Sequence, residues 1–370
     1  CLPIPEEKHP SGVNYTHSAA VAAEPKIAVV VPVYNGFSVL LDCVTSLLEY
    51  TPKEVRLLLI DDCSPDPRIG ELFGQLKERF APRLETCRNE TNLGFVRTVN
   101  RGFELAAGCD VIILNSDTVV SHRWSTLLKL AAYRSDAIGT VSAVSNNSNA
   151  FSVPIKGENP LPPHQTLPQI SRMYFQHARN WGPEIHNGHG FCMYIKRALL
   201  DDVGMFDAET FGLGYGEEND FCMRAFYRGW THSIADAVLV YHVNAQSFGP
   251  QKEERVQKAR EILHSRYPEL PQLNRSLLES AFQPIREQAA KLEEHIKAIP
   301  ARGASSGRIM LHHKEGVNFI NQSDILLVQR ENRSTVLYAT NGRRFETSEA
   351  LGDVEARLDP KIFFRCHKSY

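Results

Sequence analysis

The sequence predicts an α/β fold for residues 26–250, on two observations. "KIAVVVPVY", "EVRLLLIDD" and "CDVIILNSD" are continuous apolar runs of strand length, as in parallel strands that are buried on both faces. Between them lie "FSVLLDCVTSLLEY", "IGELFGQLKERF" and "VRTVNRGFELAAG", in which apolar residues recur at helical spacing. Alternation of this kind is typical of a sheet whose parallel strands are joined by right-handed helical crossovers.

The rest of the chain differs in composition, and 370 residues exceed what one hydrophobic core usually supports. Residues 251–300 are charged, helix-forming and nearly free of glycine, and "ARGASSG" follows as a small-residue linker. After it come short alternating runs, a hairpin signal in "TNGR" and one helix, "SEALGDVEARL". We predict five segments: a flexible lead-in at 1–25, the α/β domain at 26–250, a helical extension at 251–300, a linker at 301–307, and a small, mostly β module at 308–370 that is cut short at Tyr370.

One stretch of the extension carries a heptad pattern, since apolar residues recur at alternating spacings of four and three from Leu278 to Ile299. Pro284 interrupts the pattern, or is the first residue of a helix that runs to Ala298. The short length favours a helix that packs on its own domain. The alternative is a homodimer seam formed by residues 278–299.

Composition excludes several classes of protein. Hydrophobic residues make up 42% and charged residues 23%, which is typical of a globular protein, and no apolar run approaches the roughly 20 residues that span a bilayer. The lead-in lacks a signal-peptide pattern, and none of the eight cysteines forms a CxxC pair. We therefore expect buried free thiols and a cytoplasmic location. The mildly basic C-terminal module permits contact with nucleic acid without requiring it.

Polar or turn-forming residues follow each of the predicted strands, as "PVYN", "DDCS" and "NSD". Ligands of α/β sheets bind beyond the carboxyl ends of the strands, so we expect the chemistry at this edge. A carboxylate here, such as Asp61 or Asp62, can accept hydrogen bonds from an imide or a ribose hydroxyl. It can equally be a turn-forming residue before Ser-Pro.

The acidic cluster in "GYGEENDFCMR" needs a separate explanation, because neighbouring carboxylates repel each other. Glu217, Glu218 and Asp220 could hold a cation, hold a proton or begin a helix. A helix start with its favourable dipole explains Asp220, but it explains three acids poorly. Asp220 could also pair with Arg224.

These motifs, with "NLGFVRTVNRGFELA" and "YH", occur in the order found in the family 2 glycosyltransferases, and residues 26–250 resemble that family. The resemblance implies the GT-A fold, a Rossmann-like α/β fold of nucleotide-diphospho-sugar transferases. It also implies an inverting, metal-dependent transfer of a sugar from a nucleotide-diphosphate sugar to an acceptor hydroxyl of a glycan, a lipid-linked saccharide or a protein.

The resemblance implies a role for each motif at the donor side. Asp62 corresponds to the residue that reads the base, and Tyr34 beside it could stack on the base ring. The residues implied to bind the nucleotide-sugar are Pro32, Tyr34, Asp62, Asn92, Gly94, Asn115 and Ser116.

A divalent cation, Mn²⁺ or Mg²⁺, is the implied cofactor, because the charge that grows on a leaving diphosphate must be neutralised. Asp117 corresponds to its carboxylate ligand, and His242 to a further ligand. Asn115 departs from the family's Asp-x-Asp pattern and supplies a neutral oxygen. Taken singly, Asp117 could instead cap a helix, and His242 could be an ordinary core or surface histidine.

On the acceptor side, Glu218 corresponds to the catalytic base, and Glu217 would hold sugar or acceptor hydroxyls. The family has aspartate at the base position, so Glu218 reaches one methylene further. Gly188, His189 and Asp220 are the other candidates near the acceptor, together with His186.

Residues 308–370 resemble the LytTR DNA-binding module, most closely in "FFRCHKSY". The resemblance implies that Arg365, His367 and Lys368 contact DNA phosphates. A small β interaction module is the alternative for this segment. For the whole chain, the alternative to a transferase is a transcription regulator whose first domain senses nucleotide-sugars.

Overall fold

The computed structural model describes residues 24–161, 165–180, 182–212, 214–243, 252–275, 279–298, 308–313, 316–339 and 343–358. Most of the predicted lead-in, the predicted linker and the three candidate DNA-contact residues lie outside the described residues. The chain divides into two compact units, residues 1–294 and 295–370. The five segment boundaries predicted from the sequence stay predictions.

Strands and helices alternate through the first unit. Its strands are β1 (Ile27–Val33), β2 (Arg56–Asp61), β3 (Leu84–Arg88), β4 (Asp110–Leu114), β5 (Thr118–Val119), β6 (Ile138–Ser145), β7 (Glu184–Ile185), β8 (Cys192–Ile195) and β9 (Thr231–His242). Its helices are α1 (Phe37–Tyr50), α2 (Pro67–Phe80), α3 (Phe95–Leu105), α4 (Trp124–Ala132), α5 (Leu167–His177), α6 (Arg197–Val203), α7 (Ala208–Phe211), α8 (Glu217–Phe226), α9 (Lys252–Arg266), α10 (Leu270–Leu273) and α11 (Glu279–Ala298).

The strands form one mixed sheet in the order β3-β2-β1-β4-β8-β6-β9-β5, with β7 paired to β9. The first four strands are parallel, β8 is antiparallel to both of its neighbours, and β6 and β9 are parallel to each other. The predicted α/β fold is therefore confirmed. Because β1, β2 and β4 run in the same direction, the polar residues that follow them meet at one edge of the sheet.

A buried cluster between the sheet and its helices forms the main core. In this core α3 packs directly against β1. Val96, Val99 and Phe103 of α3 lie against Val30 and Ile60 of the sheet. Gly102 permits this approach, since a Cβ on it would lie 2.2 Å from Val30 Cγ1.

Four of the heptad residues lie where the structure describes the side chains of α11, and all four are buried. Phe282, Ile285, Ala289 and Leu292 are each less than one-tenth exposed. This agrees with the interpretation that the helix packs on its own domain, and it leaves these side chains unavailable for the alternative dimer seam. The helix begins at Glu279, so Pro284 lies inside it and is not its first residue.

The second unit is mostly β, as predicted. β10 (Arg308–His313) pairs with β11 (Gly316–Asn321), and β12 (Ile325–Glu331), β13 (Ser334–Ala339) and β14 (Arg344–Thr347) form an antiparallel sheet. A short helix, α12 (Leu351–Glu355), contributes Val354 to a small core of its own.

Two predictions from composition can be compared with these residues. All six cysteines that the structure describes are free thiols, four of them buried: Cys43, Cys109, Cys192 and Cys222. Among the described residues no helix combines the length and apolar character that crossing a membrane requires.

Gly102→Ala is expected to destabilise the first unit by about 1–3 kcal/mol, because an overpacked Cβ must displace Val30 and Ile60. Urea unfolding followed by circular dichroism measures this. Gly70→Ala in α2 is the matched control: its Cβ would meet nothing within 4 Å, so it should stabilise by roughly 0.5–1 kcal/mol. Equal effects of the two substitutions would contradict the packing described for α3.

Candidate active site

Asp62 follows β2 and is held by the turn that precedes α3. Its Oδ1 accepts hydrogen bonds from Asn89 Nδ2 at 2.7 Å and from the Leu93 N–H at 2.8 Å, and its Oδ2 accepts from the Gly94 N–H at 2.8 Å. Gly94 has a φ of +83°, a conformation that favours glycine. Two oxygens offer about four acceptor positions, so Asp62 fixes this turn with three of them and has one left over among the described residues.

The neighbouring carboxylate, Asp61, ties the ends of β2 and β3 together. It pairs with Arg88 and accepts from the Ser64 N–H at 2.9 Å, and Ser64 Oγ in turn accepts from the Asn35 N–H at 2.9 Å. Tyr34, which precedes Asn35, is 41% exposed, so its ring is accessible at the edge where a base could stack. Pro32 lies within β1 and is buried, paired in register with Ile60.

Asn92, Asn115 and Ser116 complete the predicted donor side. Asn92 Oδ1 accepts from the Gly94 N–H at 3.0 Å, so its side chain belongs to the same turn as Asp62. Asn115 and Ser116 follow β4 with half-buried side chains. The backbone of Asn115 is fixed by its N–H to the Phe191 carbonyl at 2.9 Å.

Asp117 and His242 are 125 positions apart and in direct contact. Asp117 Oδ1 lies 3.1 Å from His242 Nε2, and both residues are 9% exposed. They meet because β5 pairs antiparallel with the end of β9, with Thr118 opposite His242. The Val243 N–H also donates to the Asp117 carbonyl at 2.9 Å.

The orientation of the His242 ring is set by its other nitrogen. Nδ1 lies 2.9 Å from the Asn147 carbonyl oxygen, which can only accept, so Nδ1 carries the proton. Nε2 is then the nitrogen that faces Asp117, and in the neutral ring it is the one that can bind a cation. A histidine that ligates a metal typically donates its other N–H to such a carbonyl.

Two side chains alone do not make a closed metal site. Within the residues that the structure describes, no group of three or more His, Cys, Asp and Glu side chains lies close enough to hold a metal ion. Mg²⁺ and similar cations are commonly held by one or two carboxylates together with substrate phosphates and water. Asp117 and His242 fit a cation whose remaining ligands are substrate phosphates and water.

Glu217 and Glu218 open α8, directly after Gly216. Glu217 is 5% exposed, and the Oε2 atoms of both glutamates are shielded from solvent without a hydrogen-bond partner among the described residues. Burial, then the adjacent Glu218, raises the pKa of Glu217 well above its ordinary value, and burial also raises the pKa of Glu218. The two carboxyls therefore share a site that disfavours a second negative charge.

Asp220 has a different environment, although it lies in the same helical turn. Its carboxylate is fully buried and accepts from Arg224 Nε at 2.8 Å, from an Arg266 guanidinium nitrogen at 2.7 Å and from Tyr267 Oη at 2.8 Å. The pairing with Arg224 that the sequence suggested is present. These contacts join α8 to α9, so Asp220 stabilises the structure and is not exposed toward an acceptor.

The segment before β8 runs along the start of α8. The Gly188 N–H donates to Cys222 Sγ at 3.3 Å, and a Cβ on Gly188 would lie 2.7 Å from Met193 Sδ, so the residue must be small. His189 is half-buried, and burial, with the nearby His242, lowers the pKa of its imidazole to about 4. His186 is buried, with Nε2 2.8 Å from Asn274 Oδ1.

The sequence did not reveal two contributors to this site. The Asn147 carbonyl orients His242, and Phe191 stacks on the His242 ring with centroids 5.7 Å apart and an interplanar angle of 16°. A backbone acceptor has no sequence signature. Phe191 lies in "GFCMYI", which is indistinguishable from ordinary core.

Glu217→Gln is expected to stabilise the folded chain at pH 8 and to have little effect at pH 4.5. A carboxyl with a raised pKa makes the folded state bind more protons than the unfolded state above the ordinary pKa of 4.5, so stability falls as pH rises. The amide removes that dependence. We expect a higher Tm at pH 8 by a few degrees, since about 1 kcal/mol shifts a large domain by roughly 2–4 °C.

Differential scanning calorimetry across pH 4.5–8 measures this difference. Glu104→Gln, at an exposed position of α3, is the control and should leave the curve unchanged. A Glu217→Gln variant that is less stable than wild type at pH 8 would show that the ionised pair is stabilising.

Comparison with known proteins agrees with the division of the chain into two units. The family model "Glycosyl transferase family 2" matches residues 28–204, and the "LytTr DNA-binding domain" matches residues 315–370. The first match includes the turn at Asp62, Asp117 and Gly188. Glu217, Glu218 and His242 lie beyond it.

Two of the relatives are bacterial glycosyltransferases. Glycosyltransferase GlyG of Streptococcus pneumoniae serotype 4 is 24% identical over 208 residues, which are 54% of this chain and 64% of that protein. The uncharacterised glycosyltransferase EpsJ of Bacillus subtilis is 28% identical over 249 residues, or 63% of this chain and 67% of that protein. The chain thus spans about two thirds of the length of these relatives.

Solved structures with a similar fold include GalNAc-T7 with UDP, GalNAc and Mn²⁺, which is 16% identical with a TM-score of 0.49 over 87% of this chain and 71% of that chain. Another is the mannosyltransferase PcManGT from Pyrobaculum calidifontis in complex with GDP-Man and Mn²⁺, 16% identical with a TM-score of 0.48 over 75% of this chain and 77% of that chain. The two family matches assign residues 28–204 to the family 2 glycosyl transferases and residues 315–370 to the LytTr DNA-binding domain.

Proposed function

We propose that the first unit transfers a sugar, with inversion, from a nucleotide-diphosphate sugar to an acceptor hydroxyl. The observation that carries the proposal is the adjacent pair of buried Glu217 and half-buried Glu218, in which one oxygen of each carboxyl is shielded from solvent and unpartnered among the described residues. Buried carboxyls of this kind reduce stability, and a site that must move a proton gives a use for them.

The donor would bind at the edge formed by the ends of β1, β2 and β4. Asp62 has one acceptor position left for a base, and the exposed ring of Tyr34 offers a stacking surface. The turn of Asn92 and Gly94 would follow the nucleotide, and Asn115 and Ser116 would face its ribose or diphosphate.

Asp117 and His242 would hold a divalent cation, Mn²⁺ or Mg²⁺, that neutralises the charge of the leaving diphosphate. Asp117 supplies an anionic oxygen, and His242 supplies Nε2, which the Asn147 carbonyl orients. Asn115 contributes no charge to this set, so the diphosphate itself must complete it.

Glu218 would accept the proton of the acceptor hydroxyl. The hydroxyl oxygen would attack the anomeric carbon on the face opposite the leaving diphosphate. Burial raises the pKa of Glu218, which makes the carboxylate a stronger base than a solvated one. Glu217, whose pKa burial and Glu218 raise well above its ordinary value, would remain protonated and donate to a hydroxyl or to its neighbour. Gly188 and His189 would lie on the acceptor side, and the acceptor would be a glycan, a lipid-linked saccharide or a protein.

The match of residues 315–370 supports a second proposal, that the C-terminal unit binds DNA. The alternative for the whole chain, a regulator that senses nucleotide-sugars, would not need a proton-accepting carboxylate. The retained Glu217–Glu218 pair favours a transferase.

Glu218→Gln is expected to lower kcat by roughly 10²- to 10⁴-fold, because the amide keeps the shape but cannot accept a proton. Nucleotide-sugar binding should survive, as measured by calorimetric titration beside a coupled assay for released nucleotide. A panel of UDP- and GDP-sugars serves as donors.

Asp220→Asn is the control for this carboxylate and should mainly destabilise, by about 1–3 kcal/mol, because Arg266 and Tyr267 lose a charged acceptor. If Asp220→Asn abolishes turnover in a folded protein while Glu218→Gln barely slows it, the base has been assigned to the wrong side chain.

Asp117→Asn is expected to remove Mn²⁺ binding by the chain and to lower transfer by more than about 100-fold, since the cation contributes several kcal/mol of charge stabilisation. Water-proton relaxation reports bound Mn²⁺ independently of activity. Asp201→Asn, at an exposed position of α6, should change neither quantity. Full activity of the wild-type chain in excess chelator would refute the metal assignment.

A further inference from the structure

We propose that Arg286 of α11 is a positioning residue for His242, acting through the loop of residues 146–152. The inference rests on the proposed metal role of His242. Arg286 lies 44 positions beyond His242 and outside the residues that match the glycosyltransferase family.

The 146–152 loop holds His242 at three points. Asn146 Oδ1 accepts from the His242 N–H at 2.7 Å, and Asn146 Nδ2 donates to the His242 carbonyl at 3.2 Å. The Asn147 carbonyl accepts from Nδ1 of the ring at 2.9 Å. The position of this loop therefore decides whether Nε2 points at Asp117.

The other end of the loop is held by α11. The Arg286 guanidinium donates to the Ser152 carbonyl at 3.2 Å and to the Ala150 carbonyl, so its fork spans two backbone acceptors. One helical turn earlier, Phe282 packs edge-on against Phe151 with centroids 4.8 Å apart. The guanidinium also lies over the Phe282 ring, 5.1 Å from its centroid.

A row of aromatic rings forms a second connection between the loop and His242. Phe151 packs edge-on against His189 at 5.4 Å, His189 packs against Phe191 at 5.4 Å, and Phe191 stacks on His242 at 5.7 Å. Phe151, Phe191 and Phe282 are each at most 2% exposed. Dense packing transmits a displacement of Phe151 along these rings, so the loop cannot shift without disturbing His242.

Arg286 is a polar contact of α11 with this loop, and it holds a residue on which the Asn147 peptide depends. The Ser148 N–H, which belongs to the same peptide group as the Asn147 carbonyl, donates to Ser152 Oγ at 2.7 Å. The guanidinium holds the carbonyls of Ala150, within a short 3₁₀ turn, and of Ser152, at its exit. Without these donors from α11 the backbone of Ser152 loses part of its support, and the direction of the Asn147 carbonyl toward His242 is less strictly fixed.

Arg286→Ala in the full chain is expected to weaken Mn²⁺ binding by about three- to tenfold, at the low end of what removing a ligand-orienting partner costs. Water-proton relaxation measures the affinity. The Mn²⁺ concentration for half-maximal transfer should rise by the same factor, while kcat at saturating Mn²⁺ stays within about twofold. Hydrogen exchange followed by mass spectrometry should show faster exchange at residues 146–153 and unchanged exchange in β1 and β2.

Three further variants separate positioning from general destabilisation. Arg286→Lys keeps the charge but contacts one carbonyl at a time, so its Mn²⁺ affinity should lie between wild type and Arg286→Ala. Gln288→Ala removes a contact of the same helix with the His177 carbonyl and should leave Mn²⁺ affinity unchanged. Arg260→Ala, at an exposed position of α9, controls for the lost positive charge.

Wild-type Mn²⁺ affinity in both Arg286 variants would overturn the inference and leave the proposed function intact. An equal loss in Gln288→Ala would also overturn it, because any weakening of α11 would then suffice. If the wild-type chain itself binds no Mn²⁺, the metal assignment fails, and this inference fails with it.

Discussion

The pairing of two-residue strand β5 with the end of β9 is the constraint on which the site depends. This antiparallel register places Thr118 opposite His242 and so brings Asp117 to 3.1 Å from the imidazole. A shift by one residue would turn His242 to the other face of the strand, because side chains alternate along it. The register is secured from outside the strands, by the Val243 N–H on the Asp117 carbonyl and by Asn146 on the backbone of His242.

The three acids at the start of α8 show how one short motif serves two purposes. Asp220 is buried among Arg224, Arg266 and Tyr267, and these contacts hold α8 against α9. Glu217 and Glu218 have no such partners, and burial raises the pKa values of both. Asp220 thus stabilises the helix that carries the two glutamates with raised pKa values. Such a combination is found where function opposes stability.

The helices that follow β9 contact residues of the candidate site. α9 provides Arg266 for Asp220, and α11 provides Phe282 and Arg286 for the 146–152 loop. A chain shortened to the residues that match the glycosyltransferase family would lack all three. The segment that the sequence presents as a helical extension therefore supports both sides of the site.

The sequence by itself determined the α/β class, the parallel strands β1, β2 and β4, and the edge where their polar residues meet, because buried parallel strands are recognisable as apolar runs. It did not indicate β3, whose "LETCR" has no clear pattern, nor the antiparallel insertion of β8. It suggested that Asp220 pairs with Arg224, and it left Pro284 as a possible helix start. Tertiary structure decided that Arg266 and Tyr267 also contact Asp220, where α11 begins, and that Asn147, Phe191 and Arg286 bear on His242. These contacts join residues far apart in the chain through backbone carbonyls and ring faces, which leave no local pattern in a sequence.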